Sequence, residues 1–173
     1  MKDLSAYIRD IPDFPKKGIL FKDITPLLCS AEAFSESIRQ MAGRTGRPDA
    51  VVAIESRGFI FGAPLAQHWG VPFVPARKFG KLPGKTVRQV YSLEYGEDTL
   101  ELHADALQRG WQVVVVDDLL ATGGTAGATV GLVQQLGARV TATLFLVELR
   151  GLGGRERLAP TPVEALLGYD VKE

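Results

Sequence analysis

Apolar residues recur along this chain in two rhythms, one helical and one extended. Phe34, Ile38 and Met41 fall on one face of a helix predicted over Ala31 to Arg44, with Ser30 placed to cap it. Ala50 to Ile54 is an unbroken apolar run, the length of a buried strand. Gly58 to Trp69 reads as a helix ended by Gly70, and Val71 to Pro75 as a second strand. Val113 to Val116 are β-branched and too apolar to face water on either side, the mark of a central parallel strand. Thr125 to Leu136 returns to helical spacing, with Val130, Val133 and Leu136 facing inward, and Val140 to Val147 is a further strand. Val90 to Tyr95 and Thr99 to His103 alternate apolar with polar, as a hairpin around Gly96-Glu97-Asp98 would. Asp3 to Arg9 reads as a short helix, and residues 80–90 as a Gly/Pro/Lys loop without hydrophobic period. Residues 10–29 and 148–173 follow neither rhythm well and are expected to pack as a flap over the sheet edge. The strand–helix alternation predicts an α/β fold: a doubly wound, mainly parallel sheet flanked by helices, with right-handed crossovers. No repeat or linker interrupts it, so residues 1–173 are expected to form one domain. Within it, about 1–30 is a small hood and about 78–103 a flexible lid and hairpin.

The central strand runs into Asp117 and Asp118, and then into Ala121-Thr122-Gly123-Gly124-Thr125 at the start of a helix. In an open α/β sheet, ligands sit where strand ends give way to helix N-termini. Glycines let backbone N–H groups close on an anion, threonine hydroxyls add donors, and the helix dipole favours negative charge. The loop therefore suits a phosphate. The two acids would repel one, but would suit adjacent sugar hydroxyls or a Mg²⁺ ion. A ribose 5-phosphate meets both demands. No Gly-Lys-Ser/Thr follows, so the loop is not a Walker loop, and it is not a GxGxxG fingerprint.

Composition narrows the partners. Twenty basic residues balance twenty acidic ones, and no like-charge block resembles a nucleic-acid tail. Met1-Lys2-Asp3 leads into mixed polar sequence with no signal-peptide core, and no apolar run approaches a membrane span. The lone cysteine, Cys29, is read as a small packed residue, and its lack of a partner fits a reducing cytoplasm.

Positive charge clusters in one place: Arg77, Lys78, Lys81, Lys85 and Arg88, interrupted by Gly80, Pro83 and Gly84. Such a run is either a solvated loop or a lid that closes on an anion and excludes water. The Glu55-Ser56-Arg57-Gly58 turn again joins a buried strand to a helix. It is either a capped helix start with a surface arginine or a second anion site.

The stretch VVVVDDLLATGGT (113–125) resembles the phosphoribosyl pyrophosphate (PRPP) signature of the type I phosphoribosyltransferases. PDFPKKGILFKDITPLL (12–28), ESRGFIFG (55–62), RKFGKLPGKT (77–86), YSLEYG (91–96) and LVELRGLGGRERL (146–158) resemble, in that order, the adenine phosphoribosyltransferases. The resemblance implies transfer of a 5-phosphoribosyl group from PRPP to adenine, with Mg²⁺ held mainly through the pyrophosphate, in a homodimer with no nucleic-acid or membrane partner. It places the 5′-phosphate on Ala121, Thr122, Gly123, Gly124 and Thr125, and the ribose on Asp117 and Asp118. Ser56, Arg57, Arg77 and Lys81 would take the pyrophosphate, with Lys78, Lys85 and Arg88 as weaker candidates. It also implies a non-proline cis peptide at Glu55–Ser56. Leu20, Phe21 and Lys22 would meet the adenine edge through backbone N–H and C=O groups, with Phe21 or, more weakly, Phe14 as apolar cover; Phe59 is either a further stacking residue or a core aromatic. The relatives carry arginine where this chain has Lys22, which is harmless if the contact is through the backbone. Glu94 would be the catalytic residue, stabilising positive charge on the ribose or relaying a proton from the purine, with Tyr95 positioning the lid. Two other readings stay open: a phosphoribosyltransferase for a 6-oxopurine or orotate, and a non-catalytic PRPP sensor.

Overall fold

A computed structural model describes residues 3–92 and 96–171. The chain divides into two compact units, Met1–Gln40 and Met41–Glu173.

In the smaller unit, strands β1 (Arg9–Pro12) and β2 (Leu20–Asp23) form an antiparallel hairpin in which Asp10 stands opposite Lys22. The expected helix over Asp3 to Arg9 shrinks to a single 3-10 turn, Ser5–Tyr7. Arg9 instead opens β1, held by its guanidinium to Asp23 across the ladder at 2.9 and 2.6 Å. Asp23 also accepts the Thr25 N–H at 2.9 Å, and so starts the short helix α1 (Thr25–Leu28). Helix α2 (Ala31–Ala42) begins as expected, Ser30 Oγ accepting the Ala33 N–H at 3.2 Å.

The larger unit is built on a seven-stranded sheet of order β5-β6-β4-β3-β7-β8-β9. Its strands are β3 (Ala50–Ile54), β4 (Phe73–Lys78), β5 (Thr86–Ser92), β6 (Glu97–His103), β7 (Gln112–Leu120), β8 (Arg139–Arg150) and β9 (Val163–Asp170). Strands β4, β3, β7, β8 and β9 run parallel, while the β5–β6 hairpin joins β4 antiparallel. Strands β3 and β7 are buried on both faces, as their apolar runs require. Alternate residues go to opposite faces. Ala50, Val52, Ile54, Val113 and Val115 share a core with Val130, Leu132 and Val133 of α4 (Gly124–Gln135). The other face receives α3 (Gly58–Trp69), whose Gly62 lies directly on Ala53; a side chain there would strike the Ala53 methyl.

In this larger unit further sequence expectations change. The second strand starts at Phe73, not Val71, and runs on to Lys78, because beyond its β3 partners it gains β6: Arg77 pairs with Glu101. The expected loop over 80–90 ends at Thr86, where β5 begins and pairs with β6 along its whole length. Arg88 and Gln89 hid that strand by interrupting its alternation. Strand β7 continues through the acid pair to Leu120. Residues 148–173 are no flap: β9 is the hydrogen-bonded edge strand of the sheet, preceded by a short α5 (Gly154–Leu158).

Candidate active site

The strand geometry of β7 separates the two acids. By alternation Asp117 falls in line with Val113 and Val115, and Asp118 with Val114 and Val116, yet the Asp117 carboxylate still reaches the start of α3: a methyl on Gly58 would stand 3.0 Å from its Oδ1. Asp117 lines a cavity of about 100 Å³ with Leu119, Leu120 and residues 121–126. Gly123 stands at φ 76° as the N-cap of α4, the left-handed conformation that glycine adopts without strain. A methyl on Gly123 would lie 2.9 Å from the Gly154 carbonyl oxygen, so the loop also needs glycine for space. No side chain caps α4, which leaves the first N–H groups of the helix to a ligand. Asp117 is half-buried and its Oδ1 accepts the Asp118 N–H at 2.9 Å. Burial, then the neighbouring Asp118 charge, push its carboxyl well above the usual carboxylate range. Burial also raises Asp118, which Arg57 opposes.

Asp118 is buried and meets the Arg57 guanidinium at 3.0 Å. Arg57 precedes α3, and Gly58 brings that helix against β7: a methyl on Gly58 would stand 2.8 Å from the Val116 carbonyl oxygen. Ser56 is exposed beside it, and the Glu55–Ser56 peptide is cis, as expected. The turn after β3 and the loop after β7 are thus brought together at the end of two adjacent parallel strands.

The basic stretch is more committed than its sequence implied. Arg77 donates through Nη2 and Nε to Glu55 at 2.9 and 3.3 Å, and through Nη1 to the Lys81 carbonyl at 3.1 Å. Three of its five N–H donors are thereby engaged. Arg77 is the main cause holding Glu55 below the usual carboxylate range. Lys78 pairs with Asp98 at 3.0 Å and Arg88 with Glu101 at 2.8 Å. Among the described residues, Lys81 and Lys85 have no carboxylate within ion-pair distance.

A glycine loop at an uncapped helix start, a turn bearing Arg57 and, among the described residues, two lysines outside ion-pair distance of any carboxylate point one way, and comparison with known proteins agrees. The family model described as "Phosphoribosyl transferase domain" matches residues 23–158. An adenine phosphoribosyltransferase of a Synechococcus species is 59% identical over 171 residues, covering 96% of this chain and 99% of that one. The crystal structure of adenine phosphoribosyltransferase from Thermoanaerobacter pseudethanolicus superposes with a TM-score of 0.93 at 53% identity, covering 96% and 98% of the two chains. The Saccharomyces cerevisiae enzyme, solved with adenine and an imino-altritol bisphosphate, gives a TM-score of 0.87 at 41% identity over 92% and 94%. The chain belongs to the adenine phosphoribosyltransferases.

The remaining residues expected of an adenine phosphoribosyltransferase lie apart from these loops in sequence. Leu20, Phe21 and Lys22 form β2 of the smaller unit. Lys22 is buried, with its ammonium 2.6 Å from Asp10, so its charge is already matched. Phe14 stacks edge-on against Phe21, their rings 5.1 Å apart. Phe59 packs edge-on against Phe73, their rings 5.6 Å apart. Glu94 and Tyr95 lie outside the described residues. Cys29 is exposed, not packed, at the end of α1. Sequence reasoning missed Glu55 and Glu101, whose partners lie on other strands. It also missed the burial of Asp118 against Arg57.

Proposed function

We infer that this chain transfers the 5-phosphoribosyl group of PRPP to adenine, forming AMP and pyrophosphate. The observation that carries the inference is Asp117 at the rim of an uncapped glycine loop, in a chain 59% identical to an adenine phosphoribosyltransferase. Backbone N–H groups and hydroxyls of residues 121–125 take the 5′-phosphate. Asp117 and Asp118, at the end of β7, take the ribose hydroxyls. Ser56, Arg57, Arg77 and Lys81 take the pyrophosphate, Arg77 with the two donors it has left. Leu20, Phe21 and Lys22 read the adenine edge. Glu94 acts at the reacting centre, offsetting the charge of an oxocarbenium-like transition state or moving a purine proton. The work of the site is to hold leaving group and base in line.

Among the described residues no group of three or more His, Cys, Asp or Glu could cage a metal ion. The β7 acid pair, with Asp117 beside the glycine loop, is a donor set that fits Mg²⁺ carried mainly on PRPP oxygens and waters. Bound so, Mg²⁺ would offset charge on the departing diphosphate. We place the enzyme in the cytoplasm as a homodimer without nucleic-acid or membrane partners; among the described residues no helix is long and apolar enough to cross a membrane. Steady-state turnover with PRPP and a panel of bases tests the assignment. Adenine should be converted to AMP, and turnover of guanine, hypoxanthine or orotate in its place would overturn the reading.

A further inference from the structure

Strand β6 alternates, and Leu100 and Leu102 enter the core. Glu101 between them should face water, yet it is only 1% exposed. Its two oxygens meet three donors. Oε2 accepts the Gly80 N–H at 2.9 Å; Oε1 accepts the Thr86 hydroxyl at 2.9 Å and Arg88 Nε at 2.8 Å. Gly80 and Thr86 stand at the two ends of the turn that carries Lys81 and Lys85. One buried carboxylate therefore ties off both ends. The turn is held further by His103 Nε2 against the Pro83 carbonyl at 2.9 Å and by the Ala104 N–H donating to the Lys85 carbonyl at 3.0 Å. Arg77 grips the Lys81 carbonyl from the side. Burying a carboxylate costs free energy that an apolar side chain would not. What the carboxylate adds is shape: a fixed turn in a stretch whose glycines and proline would otherwise leave it loose.

We propose that Glu101 is a positioning residue for the pyrophosphate end of PRPP, holding turn 80–86 so that Lys81 is presented preformed to the anion. The proposal rests on the reading of this stretch as the pyrophosphate site. It makes the turn a fixed platform and leaves any movement to other parts of the chain.

Titration of the full chain with inorganic pyrophosphate and Mg²⁺ by calorimetry tests it, with melting curves alongside. The variants are Lys81→Ala, Glu101→Gln, their double variant, and Thr86→Val. In Glu101→Gln the amide oxygen replaces only one carboxylate oxygen, and its NH₂ then faces a donor. Lys81→Ala and Glu101→Gln should each weaken pyrophosphate binding roughly tenfold, the scale of one lost charge-assisted hydrogen bond. The double variant should be no weaker than Lys81→Ala, because nothing is left to position. KM for PRPP should rise with these changes while KM for adenine stays put, a split that general loosening of the fold would not give. Thr86→Val should weaken binding about threefold, releasing one end of the turn while Arg88 keeps the carboxylate matched. Unchanged pyrophosphate affinity in Glu101→Gln beside a weakened Lys81→Ala, or additive losses in the double variant, would overturn the role of Glu101. Unchanged affinity in Lys81→Ala would overturn the pyrophosphate reading first. If Glu101→Gln shows no melting transition, Thr86→Val decides, and wild-type affinity there rejects the proposal.

Discussion

The glycine loop at 121–125 and the basic stretch at 77–88 both look like anion sites, but they are made in different ways. The loop offers its backbone: N–H groups stand at an uncapped helix start, and its shape is set by what glycine alone can do at Gly123. The basic stretch offers side chains, and three of its five cations already face a carboxylate: Arg77 on Glu55, Lys78 on Asp98 and Arg88 on Glu101. A backbone site is written in consecutive residues. A side-chain site depends on which charges remain after the fold has used the others.

Breaking the backbone site should cost most. Gly123→Ala forces a left-handed φ of 76° on a residue with a side chain and drives a methyl against the Gly154 carbonyl oxygen. Strain and clash together should cost about 2–4 kcal/mol of stability. AMP affinity should fall at least about a hundredfold, since the loop must shift to admit the methyl. Calorimetric titration with AMP, with melting curves, checks both numbers; near-normal AMP binding would remove the phosphate from this loop.

Chemistry should suffer next. Glu94→Gln should lower kcat by about a hundredfold or more while leaving the Kd for PRPP close to wild type, as expected of a group acting only in the transition state. Equal kcat would strip Glu94 of its role, and a large rise in Kd would make it a binding residue.

The contrast also explains what the sequence could tell. The parallel strands β3 and β7, the helix starting after Gly123 and the glycine turn before it were legible because each is local: a β-branched run, a helical period, a glycine pair. Asp117 and Asp118 were legible as an adjacent pair, but the burial of Asp118 against Arg57 was not. The neutralisation of the basic stretch was not legible. Glu55 lies 22 residues from Arg77, and Glu101 lies 13 from Arg88; only strand order brings them together. Strand β9 was hidden for the same reason: its signal is partial burial on a sheet edge, not an apolar run.

Asp117→Asn sets stability against binding within the backbone site. A carboxylate whose pKa is raised in the fold penalises the folded state above that pKa, and the penalty fades as pH falls through it. Near neutral pH the asparagine variant, which keeps an oxygen for the Asp118 N–H, should therefore melt higher without ligand. Each kcal/mol regained is worth about 3 °C in a chain of this size. The gain should vanish in acid, and PRPP should bind roughly tenfold more weakly if Asp117 holds a ribose hydroxyl. Melting across pH with PRPP titration reads both halves.

The smallest effect should come from a cation that is already matched. Lys78 pairs with Asp98 at 3.0 Å, with more than half of its side chain in water. Such a pair contributes about 0–1 kcal/mol, so Lys78→Ala should lower stability by no more than that, less at high salt. The pair raises the Lys78 pKa and lowers that of Asp98. Its contribution is lost only as pH falls through the lowered Asp98 value or rises through the raised Lys78 value, so the difference between variant and wild type should be flat across neutral pH. KM for PRPP should stay within about twofold, against roughly tenfold for Lys81→Ala, because only an unmatched lysine has charge to give a new anion. Equal losses for the two lysines would erase the distinction between matched and free cations on which the side-chain site is argued.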